Sequence, residues 1–319
     1  MMKKQFLSLA IAAMTVLPFW GTASAQKDDE RNGQRVRTVS IPISIFTKEE
    51  LQKGKAEEYI QVDRLIVKED KDEQTILSIR SVTDAPLSLA ILIQDDLESS
   101  FNLQLDDIRD FIRGLPKGSR VMVAYLRAGT LQIRQRFTDD LEKAANSLRV
   151  VASSSSVAPR NPYDGVIDAL NRFDALPAGR RAVLIFSDGL DVSQGLGGST
   201  PSQSSDLDRA ILRAQRRSVA VFSIYSPATL TQEGDSRLVL NGQGSLLKLS
   251  DETGGRAFFQ GSMGPISLDP FFRDLSLLLN RQFLLSYLST HMNRGYHRVE
   301  VLSTNPEIKI EHPRGYYYR

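Results

Sequence analysis

The 319-residue sequence contains no cysteine, which excludes disulfide staples, thiol catalysis, iron–sulfur clusters and cysteine-built zinc sites together. Tryptophan occurs once, at Trp20, and histidine three times, at His291, His297 and His312. Surplus charge of either sign is also lacking. The 40 Lys+Arg face 38 Asp+Glu, whereas a nucleic-acid binder needs an excess of cations to displace phosphate counterions, so no nucleic-acid partner is expected. Gly-x-Ser-x-Gly, Walker and His-Glu-x-x-His patterns are absent, which removes the commonest hydrolase and nucleotide-binding signatures. Beyond the N-terminal segment no run approaches the ~18 apolar residues of a membrane span. What remains is 41% hydrophobic with mixed charge, the composition of one large or two modest globular domains.

The N-terminus reads as an address. Lys3-Lys4 precede an apolar stretch from Phe6 to Phe19, and Ala23-Ser24-Ala25 supplies an A-x-A cleavage site, so residues 1–25 are expected to be a secretory signal peptide. They carry both excess charges and no acid, and the expected mature protein is secreted or periplasmic with no membrane span. The charged, aperiodic residues 26–36 read as a linker.

Strands are expected at 37–46, 59–67 and 74–82, the last two joined by the charged residues Lys68–Glu73. That acidic turn lacks the glycine and distal glutamate of a calcium loop and reads as a solvated hairpin turn. From residue 87 the pattern alternates. Leu87–Ile93 and Ala182–Phe186 are continuous apolar runs, as for strands covered on both faces. Leu105, Ile108, Phe111 and Ile112 recur at helical spacing, Val121–Leu126 and Leu131–Phe137 pair about Ala128-Gly129-Thr130, and Ser205 can cap a helix carrying Leu207, Ile211 and Ala214. Further helices are expected at Leu141–Leu148, Val166–Phe173, Leu246–Glu252 and Leu268–Leu279, with strands at Val219–Tyr225 and Ala257–Phe259. Three strands close the chain, at Phe283–Leu288, Tyr296–Leu302 and Ile308–Glu311. The expected class is α/β: a doubly wound, mostly parallel sheet over 87–281, beside a small β module built from segments 37–86 and 282–319.

Two strand ends hold polar groups suited to chemistry. One is Asp95-Asp96-Leu97-Glu98-Ser99-Ser100 and the other Ser187-Asp188-Gly189-Leu190-Asp191. Acids and hydroxyls at the carboxyl edge of a parallel sheet could hold a hard cation such as Mg²⁺ or Ca²⁺. The three histidines lie far in sequence from these acids, fit no common zinc spacing, and read as surface or packing residues. Tyr316-Tyr317-Tyr318 reads as strand packing before an aromatic recognition face, and Gly195–Ser199 as a polar loop.

At Phe186-Ser187-Asp188-Gly189, Leu249-Ser250-Asp251-Glu252-Thr253-Gly254-Gly255-Arg256 and Arg314-Gly315-Tyr316-Tyr317 the sequence resembles the von Willebrand factor A-domain (VWA) family, and more closely the secreted acidobacterial-type branch of VWA-related proteins. The resemblance covers about residues 37–319. It implies a doubly wound sheet and a surface site where a divalent metal bridges the domain to an acidic group on a partner. That site uses an Asp-x-Ser-x-Ser loop, a threonine from a second loop and an aspartate from a third. Here the first loop aligns as Asp96, Glu98 and Ser100, with Glu98 in place of a serine; the other register takes Asp95 and Ser99 with Leu97 between. Arg160 falls near the threonine, and Asp188 matches the third loop. The metal set would be Asp96, Ser100 and Asp188, a degenerate metal-ion-dependent adhesion site expected to hold no cofactor. A guanidinium at Arg160 could replace the cation by pairing with Asp188 or Asp96.

The leading functional expectation is a secreted, non-enzymatic adhesion or scaffolding module binding an unidentified protein through a face of Asp96, Glu98, Ser100, Arg160 and Asp188. The alternatives are a factor assembling envelope complexes through its β module, and a hydrolase using Asp95, Asp96 or Asp188 as a base.

Overall fold

A computed structural model of the chain describes residues 35–47, 65–81, 86–176, 179–231 and 235–318. The expected signal peptide over 1–25, most of the expected linker and the start of the strand expected from residue 59 lie outside the described residues. Two sheets organise the rest.

The first sheet has six strands: β4 (Leu87–Gln94), β5 (Arg120–Arg127), β6 (Thr130–Thr138), β7 (Arg180–Ser187), β8 (Ala220–Tyr225) and β9 (Ala257–Phe258), in the order β6-β5-β4-β7-β8-β9. β4 pairs in parallel with β5 and β7, and the parallel run continues through β8 to β9, while β6 returns antiparallel at the edge. That return is a tight turn. Ala128 and Gly129 both hold positive φ, 46° and 76°, the pair of left-handed conformations that matches the twist of a two-residue hairpin.

Side chains alternate across each strand, so the two faces of β4 build two cores. Leu89, Ile91 and Ile93 meet α1 (Leu105–Arg113), α2 (Leu141–Asn146) and α6 (Asp269–Asn280) through Ile108, Ile112, Ala144, Leu275 and Leu278. Ala90 and Leu92 face α3 (Tyr163–Asn171), α4 (Ser205–Arg216) and α5 (Ser236–Thr253), whose Val166, Leu207, Ile211 and Leu249 complete the second core. Every residue of β4 is buried, which is why its sequence reads as a continuous apolar run and not an alternating one.

The second sheet has seven strands and is antiparallel throughout its pairings: β1 (Arg37–Thr47), β2 (Leu65–Glu69), β3 (Asp72–Ser81), β10 (Gln282–Ser289), β11 (Gly295–Ser303), β12 (Ile308–Glu311) and β13 (Gly315–Tyr318), ordered β12-β1-β10-β3-β2-β11-β13. Segments from before residue 82 and after residue 281 interleave across it. β1 lies against β10 in a register that sets Ile41 opposite Leu285, and Ile43, Ile45, Val67, Tyr287 and Val299 form its core.

The sheets join inside one unit running from Arg35 to Arg319. Phe46 of β1 enters the core beneath α6, and Ser44 donates to the Leu278 carbonyl at 3.2 Å. The second and third resemblance motifs mostly serve this join. Gly254 caps α5 at φ 81°, Gly255 passes so close to β8 that a Cβ would stand 2.0 Å from the Val221 carbonyl, and Arg256 reaches Glu311 at 2.6 Å. Arg314 in turn bonds Asp251 at 2.8 Å.

Two expectations need correction. The helix expected at Leu246–Glu252 runs from Ser236 to Thr253, because Asn241, Gly242 and Gly244 hide its apolar face from the pattern. The turn after β2 is not simply solvated, since Glu69 at its base is fully buried. Of the histidines read as surface or packing residues, His291 and His297 come together beside that glutamate, with ring centroids 5.9 Å apart.

Candidate functional site

The carboxyl edge of the six-stranded sheet places the two acidic loops side by side. β4 leaves the sheet at Asp95-Asp96 and β7 at Asp188, and all three carboxylates are buried. Their partners separate their roles.

Asp95 is claimed by two arginines. Arg149 meets it with two bonds, at 2.7 and 2.9 Å, and Arg127 with a third at 2.8 Å. Burial pushes its carboxyl up, but these guanidinium bonds and the Ala152 amide outweigh burial and hold it below the ordinary carboxylate range. A carboxylate held this way is a poor general base, and it anchors the loop.

Asp96 is the acid beside Asp188. Its Oδ1 accepts from Gln94 Nε2 at 2.9 Å and its Oδ2 from the Thr229 hydroxyl at 2.6 Å. Asp188 accepts from the Leu190 amide at 3.1 Å. Burial first, and repulsion from Asp96 second, push Asp188 up to about 7. Gly189 follows at φ 70°, with Tyr163 donating to its carbonyl at 2.6 Å, so the turn after β7 is fixed by the third helix. Among the two registers open in the sequence, the structure therefore brings the Asp96 register to Asp188.

Arg160 does not close the site. Its side chain is exposed and makes no hydrogen bond or ion pair with Asp96 or Asp188 among the described residues; its backbone carbonyl accepts from Val192 at 2.8 Å. The expected guanidinium-for-metal exchange is corrected on this ground: Gln94, Thr229 and the Leu190 amide satisfy the carboxylates instead. The neighbouring Asn161 has the organising role in this loop, receiving the Asp164 amide and donating to Asp206 at 2.9 Å.

The donors at this edge do not fit a divalent cation. Ser100, the one hydroxyl matching the first loop, is exposed and donates to Glu98 at 3.2 Å. Ser187 donates to Gln94 at 2.5 Å. Among the described residues the acid or histidine ligand atoms that converge in a group of three or more, within 4.8 Å, belong to Glu69, Asp70 and His297 on the other sheet.

Of the five residues expected on a partner-binding face, Glu98, Ser100 and Arg160 reach the surface. Asp96 and Asp188 lie beneath it, 1% and 2% exposed, and shape the loops. Next to Glu98 and Ser100 lies an open groove lined by Leu103, Met263 and Ile266. These three side chains are 86%, 75% and 95% exposed. The segment carrying Met263 and Ile266 is tied to the first loop by a Gln104 bond to the Pro265 carbonyl and by the Leu268 amide on Asp107 at 3.1 Å.

No family model matches the chain, and no curated protein matches it. Similar solved structures include an aerotolerance-related membrane protein from Bacteroides fragilis, 12% identical, covering 61% of this chain and 98% of that one at TM-score 0.42. BatB from Bacteroides thetaiotaomicron is 14% identical over 60% of this chain and 95% of its own, at TM-score 0.41. The SpRpn10 VWA domain is 12% identical over 60% and 94%, at TM-score 0.37. The chain's own strand order, with one antiparallel edge strand and the acidic loops at the carboxyl edge, carries the fold assignment. The fold is von Willebrand factor A-like. Among the described residues no helix is long and apolar enough to cross a membrane.

The sequence reading missed Gln94, Thr229, Asn161, Leu103, Met263 and Ile266. Gln94 and Asn161 were legible as polar residues ending a strand and preceding a helix. Met263 and Ile266 sit in an aperiodic loop and carry no such signal.

Proposed function

We propose that the protein is an exported, non-enzymatic protein-binding module that engages its partner at the carboxyl edge of a doubly wound A-type sheet, with the seven-stranded β module as its support. The observation that carries this reading is the exposure of Leu103, Met263 and Ile266 around one groove beside Glu98. Clustered large apolar side chains at a polar rim mark interaction surfaces, whereas single ones are ordinary. The partner that fits presents an apolar side chain to the groove and a basic side chain to Glu98. Contact is direct, with no bridging cation, since the edge acids are satisfied internally.

Photo-cross-linking tests this. A photoreactive residue at Ile266 is expected to give one dominant protein adduct in the producing cells, lost on Glu98→Lys, while the same residue at Leu77 of β3 gives none. Equal adducts at both positions would defeat the reading. Export rests on the Lys3-Lys4 head, the apolar core and Ala23-Ser24-Ala25. N-terminal sequencing of the cell-free fraction is expected to begin at Gln26; recovery of the chain in the cytoplasm with Met1 or Met2 at its start would contradict export.

A further inference from the structure

The seven-stranded sheet holds a second polar centre that the partner-binding reading does not use. Glu69 closes β2, Asp70 and Lys71 form the turn into β3, His291 follows β10, and His297 lies on β11. β2 and β11 pair, with Glu69 opposite Val299, so the carboxylates and imidazoles converge although more than 220 residues separate them in sequence.

The hydrogen bonds fix what each ring presents. His297 Nε2 lies 2.7 Å from the Asn293 carbonyl, which can only accept, so Nε2 carries the proton. A neutral ring then turns the Nδ1 lone pair toward Asp70 Oδ2 at 2.8 Å and Glu69 Oε1 at 3.5 Å. His291 repeats the arrangement: Nε2 is 3.2 Å from Asp72 Oδ2, and Nδ1 faces Glu69 Oε1 at 3.7 Å. A lone pair facing a carboxylate is repulsive, so each such contact needs a proton or a cation to offset it. In metal centres a histidine that binds through one nitrogen donates its other N–H to a carbonyl or carboxylate, and both rings here are anchored that way.

Two polar atoms at the centre make no hydrogen bond among the described residues: Glu69 Oε2, on a side chain with no solvent exposure, and His291 Nδ1. Leaving a buried carboxylate oxygen unpaired is costly. Glu69 Oε1 accepts from Ser289 at 2.9 Å and Tyr316 at 2.6 Å, with Arg37 Nη2 3.5 Å away. These hold one oxygen; the other makes no hydrogen bond, although the Tyr287 hydroxyl, itself unpaired, lies near the same carboxylate.

We propose that Glu69, Asp70, His291 and His297 form a binding site for a divalent transition-metal ion of the zinc class. Two imidazole nitrogens and two carboxylate oxygens make the mixed set that such ions prefer over Mg²⁺ or Ca²⁺. The ligand atoms of Glu69, Asp70 and His297 already lie within 4.8 Å of one another, and a tetrahedral site asks for about 3.4 Å. Glu69 Oε1 and His297 Nδ1 already stand near that separation at 3.5 Å, Asp70 Oδ2 at 2.8 Å from His297 Nδ1 would open by about half an ångström, and His291 Nδ1, 3.7 Å from Glu69 Oε1, would swing in as the fourth ligand. The ion would tie the β2–β3 turn to β10 and β11, joining segments from the two ends of the chain.

Calorimetric titration of chelator-treated full-length protein with Zn²⁺, beside Co²⁺ absorption and thermal melts, tests the site. One equivalent is expected to bind at micromolar or tighter Kd, with a rise in Tm and the visible bands of tetrahedral Co²⁺. Glu69→Gln and His291→Ala are each expected to weaken binding at least tenfold. Asp188→Asn is expected to leave it unchanged, because that residue lies on the other sheet. The wild-type Co²⁺ spectrum stands even if a variant fails to fold. No binding at millimolar Zn²⁺ would overturn the proposal. Binding abolished by Asp188→Asn, or indifferent to both Glu69→Gln and His291→Ala, would overturn it equally.

Discussion

At the residue scale, Asp188 shows how the edge manages its charge. Its carboxyl is fully buried beside Asp96, and burial with that repulsion raises it to about 7. A raised acid binds its proton more tightly folded than unfolded. Stability is therefore full below the unfolded value near 3.8 and declines as pH rises from about 4 to about 7. Asp188→Asn removes the titration while keeping an acceptor for the Leu190 amide. Chemical denaturation across pH 4–8 is expected to show a flatter profile for the variant and higher stability than wild type at pH 8; parallel profiles would contradict this. The sequence placed Asp96 and Asp188 at one edge correctly as strand ends. It left the choice between Asp95 and Asp96 open, because both follow the same strand and only their partners distinguish them. Arg127 and Arg149 claim Asp95, and neither is near it in sequence.

At the element scale, the loop after β7 is held by backbone contact with α5. A Cβ on Gly242 would stand 2.0 Å from the Asp188 carbonyl, and one on Gly189 would stand 2.5 Å from the Gly242 carbonyl. Helix and loop approach closely because neither has a side chain there. Gly242→Ala improves helix propensity by about 1 kcal/mol but forces the backbones apart, and overpacking of this kind costs about 1–3 kcal/mol. The expected net result is a lower Tm, with the loop displaced, while Ala at the exposed Gly197, where a Cβ meets nothing within 4 Å, is expected to be neutral. A Gly242→Ala protein as stable as wild type would show that the loop accommodates. The same glycine explains a missed element. β4, β7 and the Ala128-Gly129 hairpin were legible because burial on both faces and left-handed turn residues write themselves into sequence. The first half of α5 was not, because close packing there demanded residues that local propensity counts against a helix.

At the scale of the whole molecule, the chain ends interleave in one sheet while residues 87–258 build the other. Both β-rich ends were visible in the sequence, but their strand order was not, since antiparallel pairing between residues some 250 apart leaves no local trace. For the same reason the groove was invisible: Leu103 follows the first strand of the A-type sheet, and Met263 and Ile266 follow its last. The central claim is that this groove, with Glu98 at its rim, binds the partner. The affinity of the partner recovered at Ile266 decides it, measured by calorimetry for wild type, Met263→Asp, Glu98→Lys and Leu77→Asp. An apolar anchor at the centre of an interface contributes about 2 kcal/mol, so Met263→Asp is expected to weaken binding roughly 30-fold. Glu98→Lys is expected to weaken it about tenfold through loss of charge pairing. Leu77→Asp, on the opposite sheet, should leave the Kd within about twofold of wild type, as surface changes outside an interface do. Unchanged affinity in both Met263→Asp and Glu98→Lys would contradict the account.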